Sequence, residues 1–244
     1  MTPDFHDVSV IVACRNEEAN IEACLTVLLT AVPEAEIVVV DGGTDGTFAK
    51  ARQMSQQWPQ IKPVKNEPDL GKGHAIRKGI QRASGRVMAQ FDADLQFFAA
   101  DLPKLLAPIR EGNADLAIGS RFLSGADRSA YRPDLFRNGG NWLLSAYVST
   151  LIGRRVTDVT AGVKAWTREA IERIDFRDNR YSYEAEIVVR AARLGLRLVE
   201  IPVRYADRTA GVSMHRNTVA LARAGAVIML KVFAAWMRGG KTAG

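Results

Sequence analysis

Cysteine is scarce in this chain of 244 residues, since Cys14 and Cys24 are the only two. That number excludes a disulfide framework and a cluster of thiolate metal ligands, and it makes a reducing compartment the default. A long uninterrupted hydrophobic run is also lacking. Arg223 and Lys231 interrupt the most apolar segment, residues 217–237. A charge at the centre of a bilayer costs about 2.5–3.5 kcal/mol, which disfavours a transmembrane span.

The first residues lack the basic and apolar regions of a signal peptide, so we expect a cytoplasmic protein. Charge is distributed unevenly along the chain. Residues 1–120 hold 12 basic and 16 acidic residues, whereas residues 121–244 hold 21 basic and 11 acidic ones. The basic second half indicates an anionic partner, such as phosphate, a lipid headgroup or nucleic acid. Aromatic residues are not interleaved with the arginines and no nucleic-acid module is recognisable, so we expect no nucleic acid.

Hydrophobic patterning predicts strands that alternate with helices. Short β-branched runs such as Val8–Cys14 and 36–40 are typical of buried parallel strands. Helical spacing of apolar residues follows each of them, for example at Ile21, Leu25 and Leu28. This alternation predicts an α/β fold, a Rossmann-like and mainly parallel sheet flanked by helices and built from right-handed βαβ units.

The stretch Val87–Gln96 divides the chain. It begins as a strand and ends in two carboxylates, Asp92 and Asp94. In extended backbone, residues i and i+2 point to the same side, so both carboxylates are expected to converge at the carboxyl end of the strand. Hard oxygen ligands suit Mg²⁺ or Mn²⁺, with a diphosphate among the remaining ligands. The alternative is a strand-end turn with two solvated aspartates.

Two other features of the first half point to a nucleotide. Asp41 and Asp45 follow a strand among glycines, where carboxylates can accept hydrogen bonds from ribose hydroxyls or base N–H groups. Their alternative is a turn chosen for the geometry of Gly and Asp. The segment Gly71-Lys72-Gly73 opens a helix, where free N–H groups and a lysine favour an anion. A plain capped helix start is the alternative there.

Five motifs in order resemble those of family 2 glycosyltransferases with the GT-A fold, within them the dolichyl-phosphate mannose synthase and polyprenyl-phosphate glycosyltransferase branch. The resemblance covers residues 7–215. The motifs are Arg15-Asn-Glu17, Asp41-Gly-Gly-Thr-Asp-Gly-Thr47, Gly71-Lys-Gly-His-Ala-Ile-Arg-Lys-Gly79, Asp92-Ala-Asp-Leu-Gln96 and Gly119-Ser-Arg-Phe122. Later segments resemble the acceptor-side motifs of that branch, namely Asp158-Val-Thr-Ala-Gly162, Glu184-Ala-Glu186 and Asp207-Arg-Thr-Ala-Gly-Val-Ser213.

The resemblance implies a metal-dependent, inverting enzyme that moves a hexose, mannose or glucose, from a nucleotide diphosphate sugar to a polyprenyl phosphate. Its Mg²⁺ or Mn²⁺ would be held by Asp92, Asp94 and Gln96. The donor would be bound by Arg15, Glu17, Asp41, Asp45, Lys72 and Asp92. The acceptor phosphate would be bound by Arg121, Arg137 and Arg208, and the catalytic group would comprise Asp94, Arg121 and Arg208.

The chain departs from the family pattern at several positions. Val40 stands where an aspartate is usual, Phe98-Ala99 replaces two prolines, and Glu184 stands where glutamine is common. A C-terminal transmembrane pair found in some members is missing. Two alternatives therefore stay open. One is a hydroxyl acceptor with Glu184 or Glu186 as general base. The other is an inactive paralogue that binds nucleotide sugars.

We expect one glycosyltransferase domain over residues 1–215, with a nucleotide-sugar half at 1–120 and an acceptor half at 121–215. Residues 216–244 are expected to form an apolar and basic C-terminal helix, which either lies at a membrane surface or packs on protein. These features predict a protein that is peripheral on the cytoplasmic face of a membrane. A membrane-anchored partner or a homo-oligomer is also compatible with them.

Overall fold

The computed structural model describes the backbone of residues 4–132, 135–207 and 218–238, and the side chains of 4–132, 138–207 and 225–238. Strands and helices alternate through the first half, as the patterning predicts. The elements are β1 (Val8–Cys14), α1 (Ile21–Ala31), β2 (Glu36–Asp41), α2 (Thr47–Gln57), β3 (Ile61–Lys65), α3 (Lys72–Arg82), β4 (Val87–Gln90), α4 (Leu102–Arg110), β5 (Leu116–Ser120), α5 (Leu135–Ile152), β6 (Lys164–Thr167), α6 (Arg168–Ile174), α7 (Tyr183–Arg193), β7 (Leu198–Pro202) and α8 (Thr218–Arg238).

The seven strands form one sheet in the order β3-β2-β1-β4-β6-β5-β7. β1 pairs in parallel with β2 and β4, and β5 pairs in parallel with β7. β6 is antiparallel to both β4 and β5. The expected mainly parallel sheet is therefore confirmed, while the reversed strand in its middle was not predicted.

The core lies on both faces of the sheet. Every residue of β5 is buried, and β2 is buried from Ile37 to Asp41. Strands of a parallel sheet covered by helices on both faces read as continuous apolar runs for this reason. Cys14 and Cys24 are both buried and unpaired, in line with the expected absence of a disulfide framework.

The C-terminal helix α8 packs on α5 and α7 of the same chain. Val232 and Ala235 are buried in that contact, and the Tyr147 hydroxyl donates to the Met229 carbonyl oxygen at 3.3 Å. The opposite face of α8 leaves Leu230 exposed at 71%. Among the described residues, none of the helices combines the length and apolarity needed to cross a membrane.

Candidate active site

The candidate site lies at the carboxyl ends of β1, β2 and β4. The chain runs outward from β1 through β2 to β3 and then returns to β4 on the other side of β1. Open α/β sheets bind ligands in the crevice where the strand order reverses in this way. Asp41 ends β2 opposite Cys14 of β1, and Asp92 follows the end of β4 at Gln90. The topology thus brings the predicted donor motifs to one edge of the sheet.

Asp92 lies just beyond the end of the strand, and Asp94 lies in the turn that follows. β4 ends at Gln90, and the turn that follows includes Leu95 with a φ of 60°. The argument that an extended backbone aligns the two carboxylates is therefore wrong. Asp94 is 7% exposed, and its Oδ1 accepts the Gln96 backbone N–H at 3.2 Å. The turn itself, closed in part by this hydrogen bond, sets the position of the pair.

Lys72 connects Asp92 to α7. Its Nζ lies 2.8 Å from Asp92 Oδ1, 3.0 Å from Asp92 Oδ2 and 3.0 Å from Glu184 Oε1. Burial by itself would lower the pKa of Lys72. The attraction of Asp92 and Glu184 outweighs that effect, so the pKa lies well above its usual value and the ammonium stays charged. A fixed positive charge thus sits beside the predicted metal ligand.

The start of α3 is covered by another segment of the chain. The His74 N–H donates to the Asn179 carbonyl oxygen at 3.1 Å, and a Cβ at Gly73 would overlap the Asp178 carbonyl oxygen. One of the N–H groups expected to be free for an anion is therefore used within the protein. Glycine is needed at position 73 because the 177–181 loop packs directly on the helix. Anion binding at this helix start remains a prediction.

Asp41 and Asp45 both accept hydrogen bonds from the protein. Asp41 is fully buried, and it accepts from Lys65 Nζ at 2.9 Å and from the Gly43 N–H at 2.8 Å. Asp45 Oδ1 accepts from the Thr47 hydroxyl at 2.5 Å and from the Thr47 N–H at 3.1 Å, at the start of α2. Burial raises the pKa of Asp45, but the hydrogen bonds from Thr47 and from the Glu18 backbone together outweigh it and the pKa is lowered. Nucleoside contact by either aspartate remains a prediction.

The other predicted donor and metal residues lie around the same edge. Arg15 is 65% exposed on its side chain, with Nε 3.5 Å from Asp69 Oδ2. Glu17 Oε2 accepts from Asn20 Nδ2 at 2.7 Å. Gln96 is 5% exposed, and its Nε2 donates to the Ala206 carbonyl oxygen at 3.2 Å. Their roles toward donor and metal also remain predictions.

The guanidinium of Arg121 forms a bidentate ion pair with the Asp158 carboxylate. Its Nε and Nη2 each donate to Asp158 at 2.7 Å, and Nη2 also donates to the Thr160 hydroxyl at 3.0 Å. Burial opposes the charge of the guanidinium, but the attraction of Asp158 more than compensates, and the pKa of Arg121 is raised. Since Asp158 occupies the Nε–Nη2 edge, that edge is not available to an acceptor phosphate. The Tyr205 ring lies 5.0 Å from the guanidinium.

Arg208 and the side chain of Arg137 fall outside the described residues. The segment that leads to Arg208 is nevertheless anchored at the site. Phe97 and Tyr205 form an isolated antiparallel bridge, and the Ala206 N–H donates to the Gln96 carbonyl oxygen at 2.9 Å. The chain just before Arg208 therefore pairs with the chain just after Asp94.

The two candidate general bases both have protein partners. Glu184 Oε1 pairs with Lys72, as described above, and the residue is 5% exposed. Glu186 Oε1 accepts the Arg177 N–H at 3.1 Å, and its Oε2 accepts the Asp178 N–H at 2.9 Å. Glu186 thereby holds the loop that covers α3. Neither carboxylate is presented freely to an incoming hydroxyl.

Asp92 and Asp94 fit a divalent cation with hard oxygen ligands. Asp92 already binds a cation, the Lys72 ammonium, through both of its oxygens. A Cβ at Gly162 would overlap Asp92 Oδ2, so the backbone leaves room only for the carboxylate. Two protein carboxylates leave the other positions of an octahedral ion to waters and phosphate oxygens, which is how Mg²⁺ is usually bound.

The family model described as glycosyl transferase family 2 matches residues 9–175. The chain belongs to glycosyltransferase family 2. The low-salt glycan biosynthesis hexosyltransferase Agl6 of Haloferax volcanii is 31% identical over 82% of this chain and 48% of that protein. The undecaprenyl-phosphate mannosyltransferase of Micrococcus luteus is 31% identical over 84% of this chain and 86% of that protein. The match thus spans about half of the first relative and most of the second.

Solved glycosyltransferase structures share the fold of this family 2 member. Glucosyl-3-phosphoglycerate synthase from Mycobacterium tuberculosis, in complex with Mn²⁺, UDP-glucose and phosphoglyceric acid, has a TM-score of 0.70. It is 22% identical and covers 95% of this chain, which covers 78% of that one. At this identity the likeness concerns the fold alone, and it confirms the expected GT-A architecture.

Several polar residues of this glycosyltransferase site were not predicted individually. Lys65 pairs with Asp41, and Asp158 pairs with Arg121. Lys164 is fully buried, with Nζ donating to the Ala161 carbonyl oxygen at 2.5 Å, and burial lowers its pKa to about 8. The one available signal was the resemblance of residues 158–162 to an acceptor-side motif. Lysines at 65 and 164 have no comparable signal in the sequence.

Proposed function

We propose that this glycosyltransferase transfers a hexose, mannose or glucose, from a nucleotide diphosphate sugar to a polyprenyl phosphate, with inversion at the anomeric carbon. The choice of acceptor rests on one observation, the hydrogen bonding of Glu184 and Glu186 within the protein. Both carboxylates already accept hydrogen bonds from the protein. A hydroxyl acceptor needs a positioned general base, whereas a lipid monophosphate is already an anion at pH 7.

The functions of two relatives support this acceptor. The Micrococcus luteus protein is an undecaprenyl-phosphate mannosyltransferase, and a polyprenol monophosphomannose synthase of Mycolicibacterium smegmatis is 31% identical over 84% of this chain. Phosphate recognition requires donors that pair with oxygens in a fixed geometry, for which arginine is suited. Arg121, Arg137 and Arg208 are the residues proposed to orient the acceptor phosphate for attack in line with the leaving group.

On the donor side, Asp92 and Asp94, with Gln96 as a third candidate, would hold Mg²⁺ or Mn²⁺. When bound, the ion offsets the charge of the leaving nucleoside diphosphate. Lys72 adds a second positive charge beside Asp92. Arg15, Glu17, Asp41 and Asp45 complete the proposed donor site. A structural neighbour crystallised with Mn²⁺, UDP and glucosyl-3-phosphoglycerate supports this assignment by analogy of fold.

The prenyl chain is proposed to meet the apolar surfaces of α5 and α8. Trp142 and Leu143 of α5 are 71% and 53% exposed, and Leu230 and Met237 of α8 are 71% and 60% exposed. A pocket of about 400 Å³ lies beside α5, lined by Phe122, Trp142 and Val156 among others. These surfaces would allow a peripheral position on the cytoplasmic face of a membrane. In the same proposal residues 1–120 handle the donor, 121–215 the acceptor, and 216–244 the contact with lipid or protein.

A paired-acceptor assay tests the function. The purified protein is incubated with UDP- and GDP-linked hexoses, Mg²⁺ or Mn²⁺, and either a short polyprenyl phosphate or the matching polyprenol. We expect glycolipid only from the phosphate, loss of product with EDTA, and an inverted anomeric configuration by NMR. Asp94→Asn should lower kcat at least about 100-fold, as removal of other charge-stabilising groups does. Arg208→Ala should raise the KM for the lipid phosphate more than that for the donor.

The other outcomes identify the alternatives. Product formed from the polyprenol or from a sugar hydroxyl would show that the acceptor is a hydroxyl and not a phosphate. In that case the pH–rate profile should have an acidic limb that Glu184→Gln or Glu186→Gln removes. Full activity in EDTA would refute the role given to the metal. If the protein neither transfers the sugar of any donor nor hydrolyses the donor, it is an inactive paralogue.

A further inference from the structure

The Lys72 ammonium contacts the carboxylate that the proposed function assigns to the metal. Its Nζ is within 2.8 and 3.0 Å of the two oxygens of Asp92, so the ammonium bridges the carboxylate. The side chain is 19% exposed, and its charge is held in place from the other side by Glu184. The protein's own cation thus uses the ligand that the proposed function assigns to Mg²⁺ or Mn²⁺.

An ammonium in this position opposes the binding of a divalent ion at Asp92. Mg²⁺ binds carboxylate oxygens at about 2.0–2.1 Å and demands a near-octahedral set of ligands. A carboxylate has about four lone-pair sites, and those directed at Lys72 are not available to such an ion. The two positive charges also repel. Metal binding at Asp92 is therefore stronger when Lys72 moves away from the carboxylate.

Glu184 gives Lys72 another partner when it moves. This carboxylate lies on α7, 112 residues further along the chain, and its Oε1 is 3.0 Å from Lys72 Nζ. Its side chain is 6% exposed, so an unpaired charge there would be costly. The Tyr183 hydroxyl lies 3.4 Å from the same oxygen. Lys72 can therefore release Asp92 and remain paired with Glu184.

We infer that Lys72 is a positioning residue that competes with the divalent metal for Asp92 in the free enzyme, and that Glu184 retains Lys72 when metal and nucleoside diphosphate bind together. The inference rests on the proposed function, because it takes Asp92 as a metal ligand. It makes the metal bind weakly by itself. The diphosphate offers Lys72 a further anion, so metal and nucleotide raise each other's affinity by the same factor.

Mn²⁺ binding to the purified full chain, measured by calorimetry and by the electron paramagnetic resonance of free Mn²⁺, tests this without any turnover. Lys72→Met should bind Mn²⁺ in the absence of nucleotide at least about tenfold more tightly than the wild type, because a charge-assisted contact to Asp92 no longer has to be broken. The factor by which UDP or GDP raises Mn²⁺ affinity should shrink in this variant. Glu184→Gln should act in the opposite direction and weaken Mn²⁺ binding, since Lys72 then keeps only Asp92.

Lys164→Met is the matched control. Lys164 is buried close enough to Asp92 and Glu184 for their charges to influence its pKa, but its Nζ donates to the Ala161 carbonyl oxygen. Its removal deletes the same charge without freeing an Asp92 oxygen, so a much smaller rise in Mn²⁺ affinity is expected. If Lys164→Met raises Mn²⁺ affinity as much as Lys72→Met does, the loss of any nearby positive charge explains the rise. That result would overturn the competition for Asp92.

The remaining outcomes separate this inference from the proposed function. Suppose that Lys72→Met binds Mn²⁺ no more tightly than the wild type, and that the wild type binds Mn²⁺ with UDP or GDP. This result overturns the competition and leaves the proposed function intact. Absence of Mn²⁺ binding to the wild type with either nucleotide overturns both. A damaged fold would weaken binding in every variant, so it cannot produce the expected shifts of opposite sign.

Discussion

The buried ion pair between Arg121 and Asp158 leads to a quantitative prediction for Asp158→Ala. Asp158 is fully buried and accepts three N–H groups of Arg121, from the backbone at 3.0 Å and from Nε and Nη2 at 2.7 Å. Removing one member of a buried pair leaves the other charge without compensation, which costs about 3–5 kcal/mol. Two charge-assisted bonds of about 1.5–3 kcal/mol each lead to a similar figure. Because domains are typically stable by about 5–15 kcal/mol, we expect the loss of about a fifth of the stability or more.

Urea denaturation followed by circular dichroism measures this loss, and a double-mutant cycle assigns it to the pair. Arg121→Met removes the guanidinium, so adding Asp158→Ala to that variant no longer strands a buried charge. The coupling energy is expected to be about 2 kcal/mol or more. A value near zero, or a single variant within about 0.5 kcal/mol of the wild type, would refute the reasoning.

A second substitution of Asp158 has a consequence for activity if Arg121 binds the acceptor phosphate. Asp158→Asn keeps the shape of the side chain but removes the charge that orients the guanidinium. We expect a larger rise in the KM for polyprenyl phosphate than in the KM for the donor. Equal rises in both constants would indicate a loss of folded protein and not a loss of orientation.

Three further predictions concern Gly162 beside Asp92, the buried Lys164 and the C-terminal helix α8. Gly162→Ala should fold but lose Mn²⁺ affinity, because its Cβ would displace the Asp92 carboxylate; wild-type titration curves would contradict this. Burial lowers the pKa of Lys164 from 10.5 to about 8, so the unfolded chain binds more protons between those pH values. Wild-type stability should therefore rise over that window relative to Lys164→Met by up to about 3 kcal/mol, and a flat difference in urea melts would exclude it. Val232→Ala should cost roughly 2 kcal/mol, whereas Leu230→Asp, at an exposed position, should stay within about 0.5 kcal/mol. Thermal unfolding of both variants checks the packing side of α8.

Local pattern was enough to predict most of the elements. The sequence predicts a helix over Arg168–Ile174, which are the observed bounds of α6, and another over Tyr183–Leu194, where α7 spans Tyr183–Arg193. Apolar periodicity indicates which face of an element is buried, and the period of helices differs from that of strands. Orientation within the sheet is a different property. The sequence predicts a strand over Gly162–Trp166, close to β6, but the reversed direction of β6 depends on the connection that follows α5, and no local period records it.

The candidate site divides in the same way. Ordered motifs in the sequence identified the carboxylates and several basic residues, and the sheet topology brings Asp41 and Asp92 to one edge as expected. The partners of these groups were not predicted. Asp158 is 37 residues from Arg121, and Glu184 is 112 residues from Lys72.

The sequence by itself determined the α/β alternation, the family motifs and the excess of basic residues in the second half, because these are properties of neighbouring residues or of composition. The tertiary structure decided three other things. It put Asp92 beside Lys72, covered the start of α3 with the 177–181 loop, and packed α8 on α5 and α7. Each depends on contacts between distant segments. Whether a charge pairs, caps a helix or faces a ligand is settled by which segments pack against it, and this information is not local.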